Sequence, residues 1–209
     1  MQSFTGKKQG NECSQIPFFV TKDGIKFQIK STSFRQITEV SEYWFDDISP
    51  EDKVLDIGAN VGAFCIRAAK RSQYVVAIEP VTTDLLLQNI QMNNVKVRVI
   101  KAALGKGGVL EIDWDGNRVS IQTYSLREII RSAGGCDFLK CDVEGGEWQI
   151  DPEDLSGIKR IEIELHQPPI GGPPQPALLD YISRNFEFTI DRMPSYEPLG
   201  QMGILHGWR

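Results

Sequence analysis

Two rhythms of hydrophobic and polar positions divide the chain. Near the start, Phe18 to Val20 and then Ile25, Phe27 and Ile29 flank Lys22-Asp23-Gly24. Apolar alternation around Asp-Gly predicts a β-hairpin. Phe34, Ile37, Val40 (or Ser41) and Trp44 then recur near helical spacing, with Thr32 or Ser33 as N-cap. These elements predict an N-terminal cover, hairpin and helix, over residues 1–49, within the same domain as the rest.

The second rhythm starts at Pro50. Val54-Leu55-Asp56-Ile57 reads as a short buried strand ending at Gly58. Val61, Phe64, Cys65, Ala68 and Ala69 follow at the i, i+3, i+4, i+7, i+8 spacing of an amphipathic helix. Tyr74 to Ile78 is a second β-branched run, closed by Glu79-Pro80. Leu86, Leu87 and Ile90 mark a second helix that stops around Asn93-Asn94, and Val95, Val97 and Val99 open a third strand. Strand and helix in alternation predict an α/β domain over residues 50–209, with a mostly parallel sheet and helices on both faces.

That alternation then breaks. Val109 to Trp114, Asp115-Gly116-Asn117 and Val119 to Ile121 predict an inserted β-hairpin. Leu126, Ile129 and Ile130 suggest a short helix. Phe138 to Val143 and Ile161 to Leu165 supply a fourth and a fifth strand. Gln167 to Pro176 is a Pro- and Gly-rich loop, and Pro176 suits the first turn of a helix carrying Leu178, Leu179 and Ile182. Phe186 to Ile190 and Ile204 to Trp208 are candidates for two final strands.

Composition narrows the function. The 209 residues carry 23 Lys+Arg against 28 Asp+Glu, a net charge of −5. Basic residues are scattered singly, so no strong nucleic-acid binding is expected. No apolar run approaches the roughly 20 residues of a membrane helix, and Met1 to Gly10 is polar. Cys13, Cys65, Cys136 and Cys141 form no CxxC pair, and only His166 and His206 could join them on a metal. The expectation is a soluble cytoplasmic protein with reduced thiols, no structural zinc and no membrane partner.

Ligands of open α/β sheets bind at the carboxyl ends of the strands. After the first strand stand Asp56-Ile57-Gly58-Ala59-Asn60-Val61-Gly62, and after the second stands Glu79. The two glycines permit a tight turn and close ligand approach, and a carboxylate about 20 residues on suits ribose hydroxyls. A dinucleotide fingerprint fails, because its later glycine places hold Asn60 and Ala63, and no phosphate-binding P-loop exists. An acidic loop with few glycines suits a cationic nucleoside without a pyrophosphate. S-adenosylmethionine is such a ligand, and Asp56 would favour its sulfonium and ammonium groups.

These segments resemble the FkbM family of S-adenosylmethionine-dependent methyltransferases. The likeness rests on Val54 to Gly62, Ala77-Ile78-Glu79-Pro80, Ala102-Ala103-Leu104-Gly105 and above all Asp137-Phe138-Leu139-Lys140-Cys141-Asp142-Val143-Glu144-Gly145-Gly146-Glu147. The resemblance implies a class I, Rossmann-like, seven-stranded methyltransferase sheet in residues 50–209. It implies methyl transfer, usually to a hydroxyl oxygen. Asp56, Gly58 and Asn60 would hold the methionine part of the cofactor, with Gly62 in the same cofactor-binding loop, Glu79 the ribose, and Ala103 the adenine; Asp142 would lie beside the sulfonium.

An alcohol acceptor must lose a proton during or after attack. Asp142, Glu144 and Glu147 crowd one strand end, where mutual repulsion raises carboxylate pKa values. His166 ends the next strand at the same rim, its ordinary pKa suiting a general base. His166, Asp142 and Glu144 are therefore the candidate catalytic residues. Glu144 and Glu147 could instead serve the following helix, and Glu162 and Glu164 share one strand face, from which one could reach the site, although a solvated sheet-edge role is the first expectation. Tyr43 and Trp44 could close over the cofactor or pack in the core. Carboxylates and a histidine could hold a divalent metal, but no ligand spacing defines one. The expected acceptor is a hydroxyl on a small molecule or glycan. The alternatives are methylation of RNA or protein, and a non-catalytic cofactor-binding protein.

Overall fold

Apolar alternation about Asp23-Gly24 does form a hairpin in the computed structural model, which describes residues 18–29, 37–114 and 116–209. Strands β1 (Phe18–Val20) and β2 (Lys26–Gln28) pair antiparallel, with Phe19 opposite Phe27. Ile25 and Phe27 bury inward, and the hairpin edge is tied down by Asn89 and Asn93, which hydrogen-bond the backbone of Gln28 and Lys26.

The helix expected across Phe34 to Trp44 is not realised where the structure can be read; Thr32, Ser33 and Phe34 lie outside the described residues. Residues 37–48 hold a short 3₁₀ piece and turns. Their backbone groups bond elsewhere: Arg67 donates to the Thr38 carbonyl, Arg71 to that of Asp46 and Arg160 to that of Trp44, while the Trp44 N–H donates to Glu162. Val40, Tyr43 and Ile48 still bury, so the near-helical spacing reflects a chain winding across the sheet.

The remaining elements follow as β3 (Lys53–Ile57), α1 (Ala63–Ala68), β4 (Tyr74–Ile78), α2 (Thr83–Met92), β5 (Arg98–Ile100), β6 (Ala103–Leu104), β7 (Gly108–Trp114), β8 (Asn117–Tyr124), α3 (Leu126–Ala133), β9 (Phe138–Cys141), β10 (Arg160–His166), α4 (Pro176–Asn185), β11 (Glu187–Arg192) and β12 (Gln201–Trp208). Ser125 and Glu128 form a capping box at the start of α3, and Pro176 opens α4.

Seven strands make one sheet in the order β11-β12-β10-β9-β3-β4-β5. The sheet is mixed: β10, β9, β3, β4 and β5 run parallel, and β12 runs antiparallel to both β10 and β11. A short connection from β11 returns the chain into the gap beside β10, which only an antiparallel strand can fill. The inserted hairpin β7–β8 pairs with β6 in a separate three-stranded sheet.

Each sheet face has its own core. Leu55, Ile57, Leu139, Ile161 and Ile163 pack with Leu126, Trp148, Leu178 and Ile182 on one face. Val54, Ala77 and Phe138 pack with Phe64, Leu86 and the N-terminal segment on the other. Among the described residues, no helix is long and apolar enough to cross a membrane.

Candidate active site

The carboxyl ends of β3, β4, β9 and β10 form one rim. Gly58 leaves β3 at φ 77°, and a Cβ there would lie 1.7 Å from the Asp142 carbonyl oxygen. Only glycine fits where the loop rests on the backbone leaving β9. Asn60 adopts the left-handed region at φ 48°, and its N–H donates to Glu79 at 2.8 Å. The other Glu79 oxygen accepts from Val81 and Thr82 N–H at 2.7 and 2.9 Å. Glu79 thus straps the glycine loop to the start of α2.

A row of polar side chains crosses the sheet just below the rim, on the face covered by the N-terminal segment. Asp56, Lys140, Glu162 and His206 are neighbours in register across β3, β9, β10 and β12, and all four are buried. Lys140 donates to the Gly58 carbonyl at 3.0 Å and lies 3.4 Å from Asp56 and 3.5 Å from Asp142. Burial opposes its charge, but the two carboxylates outweigh that and raise its pKa. Glu162 bonds His206 at 2.6 Å and the Trp44 N–H at 3.0 Å. The Trp44 ring stacks on His206 with centroids 4.0 Å apart.

Above the row lies a cleft of about 280 Å³ lined by Gly58, Asn60, Tyr43, Phe64, Lys140, Asp142, Glu144 and Glu164 among others. Glu39 and Glu42 join these carboxylates, and Lys140 is the one basic residue in the lining among the described residues. The Tyr43 hydroxyl bridges Asp142 and Glu164 at 3.3 and 3.2 Å. Burial and repulsion by Asp142 push the Glu164 carboxyl up to about 8, against the pull of His166 and Lys140.

His166 closes the far side. Its backbone N–H donates to Glu147 Oε1 at 2.8 Å, and its Nδ1 lies 3.2 Å from the same oxygen. Its Nε2 aims toward Glu144 and Glu164 at 3.6 and 3.8 Å. Burial disfavours the imidazolium, but the bond and charge of Glu147, with Glu164 and Asp142, prevail and raise its pKa to about 9. Glu147 also accepts from the Gly145 N–H at 2.9 Å. Gly145 passes so near Gly171 that a Cβ on Gly145 would lie 2.4 Å from the Gly171 Cα, joining the loop after β9 to the loop after β10.

The methyltransferase FkbM domain model matches residues 56–190, more than half of the chain and the whole of this rim. The chain belongs to the FkbM methyltransferase family. Members use S-adenosylmethionine, and the domain described here is of that methyltransferase class. No curated protein matches the chain significantly. Among solved structures, an FkbM methyltransferase from Methylobacillus flagellatus KT is similar with a TM-score of 0.53 and 20% identity, over 79% of this chain and 45% of that one. The tRNA m1G37 methyltransferase of M. jannaschii gives a TM-score of 0.50 and 15% identity, over 90% of this chain and 55% of that one. Both likenesses concern the fold, and the chain spans about half the length of each.

Within this FkbM-type domain, Gly58, Asn60, Asp142 and Glu144 line the cleft, and His166 borders it. Asp56 lies beneath the loop, wholly buried, accepting from the Cys65 N–H at 3.1 Å, with Lys140 between it and the cleft. Gly62 faces α2, where a Cβ would meet Leu86 at 2.7 Å. Glu79 holds the loop from the side of α2, and Ala103 begins β6 beyond β5. The cationic cofactor fits the cleft in kind, because carboxylates dominate its lining.

Lys140 is the buried cation at the cleft that the sequence reading passed over; its signal was a lysine inside an otherwise apolar strand. The solvated edge expected for Glu162 and Glu164 is corrected, and the alternative that one of them reaches the site agrees with the placement of Glu164. Both are buried, Glu162 on His206 and Glu164 at the cleft, because the N-terminal segment covers that face. Glu147 stands in the first turn of the 3₁₀ helix Gly146–Gln149, as the helix reading expects, and its second oxygen also holds His166.

Proposed function

We propose that the protein transfers the methyl group of S-adenosylmethionine to a hydroxyl oxygen of a small molecule or glycan. The observation that carries this reading is the meeting of Asp142, Glu144, Glu164 and His166 beside the Gly58–Asn60 loop. The cofactor supplies a methyl carbon already activated by a sulfonium. The chain has to place the acceptor oxygen in line with it and take the hydroxyl proton. Asp142, Glu144 and His166 stand where that proton leaves, and Glu147 fixes the His166 ring so that Nε2 faces the cleft. Gly58 and Asn60 receive the methionine part, Glu79 secures their loop on the ribose side, and Tyr43 covers the cleft from above. A cytoplasmic setting accords with the free thiols of Cys65, Cys136 and Cys141.

The test is a transfer screen with methyl-labelled cofactor against sugars, small alcohols, lipids, RNA and protein. Label is expected on hydroxyl oxygen, and Asp142→Asn and His166→Ala are expected to lower turnover while cofactor affinity by calorimetry holds. Label confined to RNA or protein nitrogen, or absence of cofactor binding, would overturn the reading.

A further inference from the structure

We propose that Asp142, Glu144 and His166 together hold a divalent cation of the Mn²⁺ or Mg²⁺ type at the acceptor side of the cleft. This deepens the methyl-transfer reading and rests on it for the ion's role, but not for the ion's binding.

One donor atom from each of the three residues lies within 4.8 Å of the other two. Donors on one such ion, at about 2.1–2.4 Å, stand roughly 3–3.4 Å apart when adjacent and roughly 4.2–4.8 Å apart when opposite. Small rotations of the two carboxylates therefore suffice. Glu144 is free to make one, since its side chain is 71% exposed. It leaves the chain at φ 52°, a turn that carries its carboxylate back toward His166.

An acidic cluster alone does not make a metal site. The independent observation is His166 Nε2. The His166 side chain is 0% exposed, and this nitrogen has no hydrogen-bond partner. A buried ring nitrogen aimed at two carboxylates 3.6 and 3.8 Å away is too far for a good hydrogen bond, and it costs free energy unless something sits between. Its other nitrogen, Nδ1, is held by Glu147. A carboxylate behind the ring is the arrangement that orients metal-bound histidines, and an ion at Nε2 would take the place of the proton that this nitrogen otherwise carries.

The donor chemistry selects the ion. One imidazole among hard carboxylate oxygens suits Mn²⁺ or Mg²⁺, whereas structural zinc sites favour sulfur and more nitrogen. The charge balance agrees. Lys140 is already shared between Asp56 and Asp142, leaving Glu144 and Glu164 without a Lys or Arg partner in the ion pairs of the described residues. With the ion bound, His166 acts as a ligand. The ion would polarise an acceptor hydroxyl and lower its pKa, so that its proton would pass to solvent or to an ionised cleft carboxylate. The freed oxygen electron pair forms the new O–CH₃ bond as the C–S bond breaks onto sulfur, leaving the neutral thioether.

The experiment is a titration of the chelator-treated full chain with Mn²⁺ alone, following the free-ion signal by electron paramagnetic resonance. One ion per chain is expected. Glu144→Gln, on an exposed side chain that folding does not need, should weaken binding about tenfold or more, as should His166→Gln. Glu147→Gln, a positioning change, should cost about 10- to 100-fold. Circular dichroism verifies each fold. No stoichiometric binding, or equal affinity in Glu144→Gln and His166→Gln, would overturn the site. Calorimetry with S-adenosylmethionine on the same metal-free protein separates the two readings. Methyl transfer at full rate in chelator removes the ion and leaves the transferase, whereas Mn²⁺ bound by a chain that takes no S-adenosylmethionine removes the transferase and leaves the ion.

Discussion

Lys140 sits between Asp56 and Asp142, 3.4 Å from the first and 3.5 Å from the second, with the Gly58 carbonyl as its third partner. One buried cation thereby ties the base of the glycine loop to the strand end that carries Asp142 and Glu144. Its removal leaves Asp56, which has no exposed surface, as a lone buried charge.

Lys140→Met is therefore expected to destabilise the fold by roughly 3–5 kcal/mol. Adding Asp56→Asn removes the stranded charge and keeps an acceptor for the Cys65 N–H. The double variant should thus be more stable than Lys140→Met by about 1 kcal/mol or more. Urea denaturation of the four proteins in the cycle measures this, and strictly additive losses would refute the pairing.

Gly58→Ala and Gly134→Ala separate steric exclusion from backbone preference. Both glycines have positive φ, 77° and 87°. A Cβ at Gly134, the C-cap of α3, meets nothing within 4 Å, while at Gly58 it lands on the Asp142 carbonyl. Gly134→Ala should cost about 1–2 kcal/mol. Gly58→Ala should cost more and also lose cofactor affinity, as read by thermal melts and calorimetry.

Glu162 accepts from His206 and the Trp44 N–H, and pairs with Arg160 at 3.1 Å. Glu162→Ala removes the acceptor of the His206 ring and of the Trp44 N–H, while Arg160 keeps Asp47 and the Gly207 and Trp44 carbonyls, with an expected loss of about 2–4 kcal/mol. It should also free the segment bearing Tyr43, so hydrogen exchange at residues 43–45 should speed up more than in the α3 region. Equal acceleration in both places would mean a general loss of stability, with no latch.

Asp137 gives a pH prediction. The Lys53 N–H and the Lys159 ammonium, each 3.0 Å away, hold its carboxyl below the ordinary carboxylate value despite partial burial. A pKa lowered by folding contributes stability above the unfolded value, near 3.8, and loses it as pH falls through the folded one. The stability gap between wild type and Asp137→Asn should stay level from pH 8 to about 5 and close below about pH 4. A gap that widens in acid would contradict the assignment.

Most of the fold was legible because its elements are periodic. Tyr74 to Ile78 and the hairpin about Asp23-Gly24 each announce themselves within a few residues. The rim was legible too, since a residue just past a strand must stand at the sheet edge. Two things were not. The path of residues 37–48 is set by Arg67, Arg71, Arg160 and Glu162, side chains far away in sequence that take up its backbone groups. The burial of Glu162 and Glu164 depends on that path, so a strand read alone gives their shared face but not what covers it.

The close passage of Gly145 and Gly171 bears on how such a protein diversifies. Backbone against backbone leaves no side chain there to vary, so the crossing is a fixed hinge post in a stretch otherwise built of prolines, glycines and polar residues. Sequence on either side of that post can drift, reshaping the loops around the cleft, while the corner of Asp142, Glu144 and His166 keeps its geometry. New acceptors would then be gained by rewriting a loop, without rebuilding the chemistry.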